Sequence, residues 1–191
     1  DAWPTLLLIT WWLFSAASFG YFINDSFDIE KDAKAHKPNF SSKLCKPVRW
    51  LVALVLAASS LAPWLLDGRF MPVLYLAVAQ LLLFLLYSVP PIRLKDRLGG
   101  AVVTDSLYAQ VIPVAVIFAS VRLGLGLQFP IWALLPLFIW ALVSGSRYIV
   151  EHLIRDYHHD HKAGTYSMVH RITVQRANEL ISYALFPIEL I

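Results

Sequence analysis

The chain has 191 residues, of which 58% are hydrophobic and only 15% are charged, and its formal net charge is +3. With a mean hydropathy of +0.61, this composition excludes an ordinary soluble domain and is typical of a membrane protein. The small positive charge gives no reason to expect a nucleic-acid partner, because the basic residues lie in short stretches between apolar segments.

Long apolar segments recur along the chain. They lie at about residues 2–22, 47–66, 70–89, 100–121 and 129–150, and a sixth begins near residue 177. Each of the first five is long enough to cross a hydrocarbon core, which takes about 20 helical residues. Since lipid offers no partners to backbone amides, such segments are expected to be helices. We therefore predict an all-α fold, a polytopic transmembrane helical bundle in which residues 1–191 form a single membrane domain.

Lysine and arginine are concentrated after the first, third and fifth apolar segments. The residues concerned are Lys31, Lys34, Lys37, Lys43, Lys46, Arg49, Arg93, Lys95, Arg97, Arg155, Lys162, Arg171 and Arg176. The opposite connections hold only Arg69 and Arg122. Because basic loops stay on the cytoplasmic side, this asymmetry predicts a multi-pass protein of a bacterial cytoplasmic membrane, with its polar clusters in the cytoplasm. An attraction of these cations to anionic lipid headgroups is the alternative.

An acidic cluster follows the first apolar segment. Asn24, Asp28 and Asp32 are spaced by four residues, and Asp25 lies three before Asp28, so the cluster shares one face if the helix continues. Carboxylates stacked in this way repel one another and call for a cation, and oxygen-only ligands suit magnesium, which substrate phosphates often complete. A solvated helix end, whose lysines neutralise the aspartates, is the alternative interpretation.

A second acidic cluster follows the fifth apolar segment. Asp156 and Asp160 are one helical turn apart, and Gly164 comes four residues later, where a helix would end. Two such faces across a cavity can hold metal ions and a diphosphate. The surrounding histidines are His152, His158, His159 and His161. A zinc site is not predicted, because adjacent histidines point to different helix faces and no cysteine lies nearby in the sequence.

A basic segment lies between the two acidic clusters. The third apolar segment ends in Tyr87-Ser88-Val89-Pro90-Pro91-Ile92-Arg93-Leu94-Lys95. The double proline ends the helix and brings Arg93 and Lys95 to the surface that carries the aspartates. Arginine offers phosphate a planar fork of donors and lysine a compact charge, so both residues are candidate phosphate ligands.

One further carboxylate, Asp105, lies inside the fourth apolar segment, where an unpaired charge would be costly. One interpretation is functional: Asp105 orients an acceptor or acts as a general base. The alternative is that it lies close enough to the membrane surface to contact water or Arg97.

These elements resemble the UbiA family of intramembrane prenyltransferases, in particular 4-hydroxybenzoate polyprenyltransferases. The first family motif, N-D-x-x-D-x-x-x-D, is matched at Asn24, Asp25, Asp28 and Asp32, and the second, D-x-x-x-D with a following glycine, at Asp156, Asp160 and Gly164. The segment from Tyr87 to Lys95 is similar to the family's intervening cytoplasmic stretch. The resemblance covers essentially the whole chain and keeps the order of the motifs.

The resemblance implies a Mg²⁺-dependent transferase that moves a prenyl or polyprenyl group from its diphosphate to an aromatic or lipid-like acceptor within the membrane, through an allylic carbocation. The implied catalytic and metal-binding residues are Asp25, Asp28, Asp32, Asp156 and Asp160. The implied diphosphate ligands are Asn24, Lys37, Tyr87, Arg93 and Lys95, with Asp105 on the acceptor side. The implied partners are a polyprenyl diphosphate, a prenyl acceptor and the lipid bilayer.

Two departures from the family pattern stand out. Lys37-Pro38 is followed by Asn39-Phe40-Ser41, where many members have an arginine-proline pair. The resemblance implies a bundle of nine helices. We therefore expect this chain to be an incomplete portion of that bundle, lacking one helix before Asp1 and two or more after Ile191. The main alternative function is an ion or small-molecule transporter that uses intramembrane carboxylates. A CDP-alcohol phosphotransferase is disfavoured because its signature is absent, and a noncatalytic assembly subunit is a further alternative.

Overall fold

The computed structural model describes residues 2–97, 99–128, 130–162 and 167–190, without the side chains of residues 131, 133, 159, 160 and 162. The helices are α1 (Trp3–Lys34), α2 (Lys46–Leu65), α3 (Met71–Ser88), α4 (Gly100–Ser106), α5 (Ile112–Leu125), α6 (Leu135–Lys162), α7 (Met168–Ile172), α8 (Val174–Leu180) and α9 (Phe186–Glu189). A π-helical turn, Leu107–Val111, joins α4 to α5, and another, Ile181–Leu185, joins α8 to α9. The predicted all-α fold is confirmed in the part of the chain that the structure describes.

Five helical segments are long and apolar enough to cross a membrane. They are Trp3–Lys34, Lys46–Leu65, Gly68–Ser88, Gly100–Leu125 and Leu135–His158. Two of them extend beyond the apolar segments that predicted them: α1 continues to Lys34 and α6 to Lys162. Neither extension contains a proline or glycine to end the helix. Both acidic motifs therefore lie on rigid continuations of membrane helices, and the polar connections are shorter than the sequence suggested.

The core between α1, α2, α3 and α5 consists of aromatic, aliphatic and small residues. Trp12 and Trp64 are fully buried, with ring centroids 6.1 Å apart and nearly edge to face. Nearer the acidic motifs, Phe19 packs edge-on against Phe84 at 6.2 Å. Because lipid is as apolar as these side chains, close packing rather than withdrawal from water holds such helices together. The bundle therefore fixes the position of α1, which carries the first motif.

Close approach of α1 and α3 depends on a glycine. A Cβ atom added at Gly20 would collide with the ring of Phe84, whereas one added at Gly68 would meet no atom within 4 Å. We expect Gly20→Ala to destabilise the protein by about 1–3 kcal/mol, because the buried Phe84 ring must shift, and Gly68→Ala to be neutral. Thermal unfolding of the two purified variants checks this prediction. Equal melting temperatures would show that the Phe84 ring moves without loss of stability.

The last described helix is held to α6 by a group of ion pairs. Arg147 donates to Glu189 through Nε at 2.5 Å and through Nη2 at 2.9 Å, and to Glu151 through Nη1 at 2.8 Å. Arg147 lies near the middle of the α6 span, where an unpaired charge would be costly. The two carboxylates compensate it, so this group explains the charge within the span without a role in the cavity described below.

Candidate active site between α1 and α6

A cavity of about 180 Å³ lies among the polar ends of α1 and α6 and the connection after α3. The residues that line it are Asn24, Asp28, Lys31, Asp32, Ala35, Lys37, Tyr87, Lys95, Asp96, His152, Leu153, Asp156 and Ser167. Acidic and basic side chains thus face the same space from three separate parts of the chain. Since charged side chains enclose it, the cavity suits a charged ligand better than an apolar one.

Asp28 is the centre of the polar network on this cavity. Its carboxylate forms ion pairs with both Arg93 and Lys95. Lys95 Nζ also donates to Asn24 Oδ1 at 2.7 Å, and Ser88 Oγ donates to the same oxygen at 3.3 Å. Burial lowers the pKa of Lys95, and the neighbouring carboxylate of Asp28 acts in the opposite direction. The first motif and the basic segment are therefore one interacting unit.

The turn after α3 positions these two cations. Pro90 and Pro91 are joined by a cis peptide bond, and Arg93 has a left-handed backbone with φ of 40°. Such a conformation costs a non-glycine residue about 1–2 kcal/mol, and the contacts of Arg93 hold it in place. Its guanidinium donates to the carbonyl of Phe27 at 3.1 Å and to Asp96 at 2.8 Å. Asp96 in turn accepts from Lys31 at 3.0 Å, which ties the turn to α1.

The second motif reaches the cavity through a contact between distant parts of the sequence. Lys37, in the connection after α1, donates to Asp156 of α6 at 2.9 Å. His152 lies one turn before Asp156, with 3.9 Å between its Nε2 and the carboxylate. The carboxylates of Asp28 and Asp156 therefore face one cavity, each accompanied by lysine. The predicted contribution of Asp160 concerns a side chain outside the described residues.

The donor set fits a hard divalent cation, although the carboxylates are not gathered around one point. Among the described residues, no three acidic, histidine or cysteine side chains are close enough together to hold an ion. The cavity nevertheless presents oxygen donors from Asn24, Asp28 and Asp32 on one helix and from Asp156 on another. Magnesium is commonly held by one or two carboxylates and completed by water and substrate phosphates. This donor set matches that mode of binding better than an all-protein cage.

Asp105 belongs to an aromatic cluster behind the cavity wall. The hydroxyl of Tyr108 donates to its carboxylate, and among the described residues its hydrogen-bond partner is Tyr108 and not Arg97. The Tyr108 ring lies 4.4 Å from that of Phe84 and 5.3 Å, edge to face, from that of Tyr87, between centroids. Tyr87 lines the cavity, so Tyr108 and Tyr87 connect Asp105 to it.

Comparison with known proteins decides the family. The model of the UbiA prenyltransferase family matches residues 1–190. The chain belongs to this family. Together with the five long apolar helices, UbiA membership makes it an integral, multi-pass membrane protein. Among curated proteins, no sequence matches this UbiA member significantly.

Solved structures share the UbiA fold. A UbiA homolog from Archaeoglobus fulgidus bound to DMAPP and Mg²⁺ has a TM-score of 0.77 and 20% identity, covering 98% of this chain and 64% of the homolog. The same homolog bound to GPP and Mg²⁺ gives 0.74 and 20%, covering 97% and 62%. Its complex with Cd²⁺ gives 0.75 and 21%, covering 98% and 62%. This UbiA chain thus spans less than two thirds of the homolog's length.

The UbiA motif residues do not all reach the cavity. Those that line it are Asn24, Asp28, Asp32, Lys37, Tyr87, Lys95 and Asp156. Arg93 contacts Asp28 instead of lining the cavity, and Asp25 is likewise not among the lining residues. Successive residues of an α-helix point about 100° apart around its axis, so Asn24 and Asp25 cannot both point at the centre of one cavity. Arg93 is therefore placed to support Asp28, whereas Asp25 lies next to the lining residues of α1 without being one of them.

Asn39, in the sequence only a departure from the UbiA pattern, has a structural role beside the first motif. Its buried side chain donates from Nδ2 to Asp32 Oδ2 at 2.7 Å and to the Asp25 carbonyl at 2.8 Å. Its Oδ1 accepts from the backbone amide of Ser42 at 3.0 Å. The signal in the sequence that could have identified Asn39 was its position directly after Lys37-Pro38. Asp96, His152 and Ser167 were missed as lining residues, because their approach to the cavity depends on tertiary contacts.

Proposed function

We propose that this protein transfers a prenyl group from an isoprenoid diphosphate to an aromatic or lipid-like acceptor, with Mg²⁺ as cofactor. The observation that carries the proposal is that Asp28 and Asp156 line one cavity together with Lys31, Lys37 and Lys95. A site with this charge pattern suits a diphosphate shared between metal and cations. Support comes from the UbiA family match and from the A. fulgidus homolog, whose structures contain prenyl diphosphates and Mg²⁺.

The residues that would hold magnesium are Asp28, Asp32 and Asp156 from the cavity lining, together with Asp25 and Asp160 of the two motifs. When bound, the metal supplies positive charge that neutralises the leaving diphosphate. Lys37 and Lys95 now pair with Asp156 and Asp28, respectively. We infer that these ammonium groups donate to the diphosphate oxygens when the substrate is bound, with Asn24 donating beside them.

In the proposed reaction, the allylic carbon–oxygen bond breaks and its electron pair leaves with the diphosphate. The acceptor then forms a bond to the prenyl carbon and loses a proton. The face of the Tyr87 ring is suited to the transient positive charge, since aromatic faces attract cations. Asp105, which is linked to the cavity wall through Tyr108, orients the acceptor or acts as its general base. The apolar helices exclude water that would otherwise capture the cation.

The membrane location of the site is part of the same proposal. Basic residues dominate the connections at the end of the bundle where the cavity lies, as for Lys31, Lys37 and Lys95. By the positive-inside rule, this end faces the cytoplasm of a bacterial cell. A water-soluble diphosphate headgroup would then enter from the cytoplasm while its isoprenoid tail stays in the bilayer.

Radiolabelled prenyl diphosphates test the proposal. Membranes containing the full-length protein are expected to release diphosphate and label an acceptor from a panel of phenols and lipid alcohols, in a magnesium-dependent and EDTA-sensitive manner. Asp156→Asn is expected to lower the rate about 10²–10³-fold, because it removes charge that positions the leaving group. Arg155→Gln, which changes an exposed neighbour on α6, is the control. Absence of magnesium-dependent transfer and diphosphate release, or equal rates in Asp156→Asn and wild type, would refute the proposal.

The transporter alternative has a separate readout. It requires acidic residues along a path through the membrane, whereas the carboxylates of Asp28, Asp32 and Asp156 lie together at one cavity near the helix ends. Ion flux in proteoliposomes that disappears in Asp105→Asn, without any prenyl transfer by the wild type, would favour transport.

Asn39 is expected to act by positioning Asp32 and the connection after α1. Removal of a group that orients a metal ligand typically lowers metal affinity about 10–100-fold. We therefore expect Asn39→Ala to weaken Mn²⁺ binding by at least about tenfold, measured by electron paramagnetic resonance of the purified protein. Asn178→Ala, an exposed asparagine on α8, is the control. Unchanged Mn²⁺ affinity in Asn39→Ala would mean that Asp32 needs no such support.

A further inference from the structure

A second groove, of about 100 Å³, lies between α1 and α2 on the side of α1 away from Asn24 and Asp28. Its lining residues are Ile23, Ser26, Phe27, Lys46, Arg49, Trp50 and Ala53. The floor is apolar, and the Phe27 and Trp50 rings meet edge to face with centroids 6.2 Å apart. No acidic side chain is among the lining residues that the structure describes.

The two cations of this groove differ from those of the proposed active site. Around the active-site cavity, Lys31 pairs with Asp96 and Lys95 with Asp28. Within the described parts of the chain, neither Lys46 nor Arg49 forms an ion pair. They lie three residues apart at the start of α2, so both project from the same side of the helix. Their charge is therefore uncompensated within the described structure and complementary to an anion.

The position of the groove in the membrane indicates which anion it takes. Lys46 is the first residue of the α2 span, and long basic side chains at the end of a span reach toward the lipid headgroups. One turn further, Trp50 is 53% exposed, and Leu54 beyond it is 66% exposed. An aromatic ring at the interface with an aliphatic surface below it matches a lipid whose phosphate binds the cations and whose acyl chain follows the helix.

We propose that this groove is a binding site for an anionic glycerophospholipid. Lys46 and Arg49 bind the headgroup phosphate, and Phe27 and Trp50 contact the first part of an acyl chain. The site is independent of the proposed prenyl transfer, because none of its residues lines the active-site cavity. It also differs from a diffuse attraction of basic loops to the membrane, since it combines two cations with a shaped apolar groove.

Native mass spectrometry of the full-length protein with added lipid tests this site. We expect dioleoyl-phosphatidylglycerol to remain bound and dioleoyl-phosphatidylcholine to dissociate, and excess inorganic phosphate not to displace the lipid. Lys46→Gln combined with Arg49→Gln is expected to lower the phosphatidylglycerol affinity roughly 10- to 30-fold, given about 1 kcal/mol per cation near an anionic lipid. Circular dichroism verifies that this double variant is folded.

The control removes the same charge from positions outside the groove. Lys43 and Arg97 are exposed and do not line the groove. The combined Lys43→Gln and Arg97→Gln variant is expected to retain wild-type affinity for phosphatidylglycerol. Equal losses in the two double variants, equal binding of both lipids, displacement by phosphate, or no bound phosphatidylglycerol would each overturn the proposal.

Discussion

Asp28→Asn is expected to lower the rate of prenyl transfer by about 10³-fold, the largest effect of any single substitution in the proposed active site. The carboxylate of Asp28 lines the cavity and pairs with both Arg93 and Lys95. Its neutralisation removes a proposed magnesium ligand and leaves two cations without their shared partner. The measurement is the initial rate of magnesium-dependent diphosphate release by the full-length protein, together with the circular dichroism spectrum of the variant.

Glu30→Gln is the matched control for Asp28, because Glu30 is an exposed carboxylate on the same helix and does not line the cavity. It loses the same charge and is expected to retain the wild-type rate. A folded Asp28→Asn variant with a rate near that of wild type would contradict the assigned role of this residue. Comparable losses in both variants would instead indicate a general dependence on the charge of α1.

Lys95→Gln is expected to weaken the binding of a non-reactive prenyl thiodiphosphate about 30- to 100-fold, because charge-assisted hydrogen bonds to phosphate are worth roughly 2–3 kcal/mol. The side chain of Lys95 is only 11% exposed and donates to Asn24 at 2.7 Å. Its ammonium is therefore already positioned at the cavity before a substrate arrives, and little ordering is needed on binding. Isothermal titration calorimetry in detergent measures the affinity.

The matched control for Lys95 is Lys34→Gln, which changes an exposed lysine of α1 that does not line the cavity. A tenfold or greater difference between the two variants is expected at the same ionic strength. If both variants bind the thiodiphosphate as wild type does, the lysine does not contact the diphosphate. If both weaken equally, long-range attraction rather than a contact accounts for the affinity.

The helical class and the membrane spans could be predicted from the sequence because both depend on local properties. A run of about 20 apolar residues has no other stable conformation in lipid than a helix, whatever its neighbours are. The spacing of Asn24, Asp28 and Asp32 likewise placed these residues on one helical face before any tertiary contact was known. Hydrophobicity alone did not give the extent of the helices, since α1 and α6 continue well beyond their apolar segments.

The composition of the candidate site was only partly predictable. The sequence identified the aspartates and the cations Arg93 and Lys95 as separate groups with related chemistry. The structure adds that both cations converge on Asp28, that Lys37 contacts Asp156, and that Asn39 supports Asp32. Each of these pairs except the last joins residues more than 60 positions apart, and sequence spacing carries no information about such pairs.

By itself, the sequence determined that this is a helical membrane protein with two acidic motifs and a basic segment between them, since hydrophobicity and helical periodicity are properties of neighbouring residues. Only the tertiary structure decided which aspartates face the cavity, which residues support them, and where Asp105 lies relative to Tyr108. It also decided that Lys46 and Arg49 flank an apolar groove while Lys31 and Lys95 are paired. These outcomes depend on how the helices pack, and packing fixes contacts between residues that are distant in the chain.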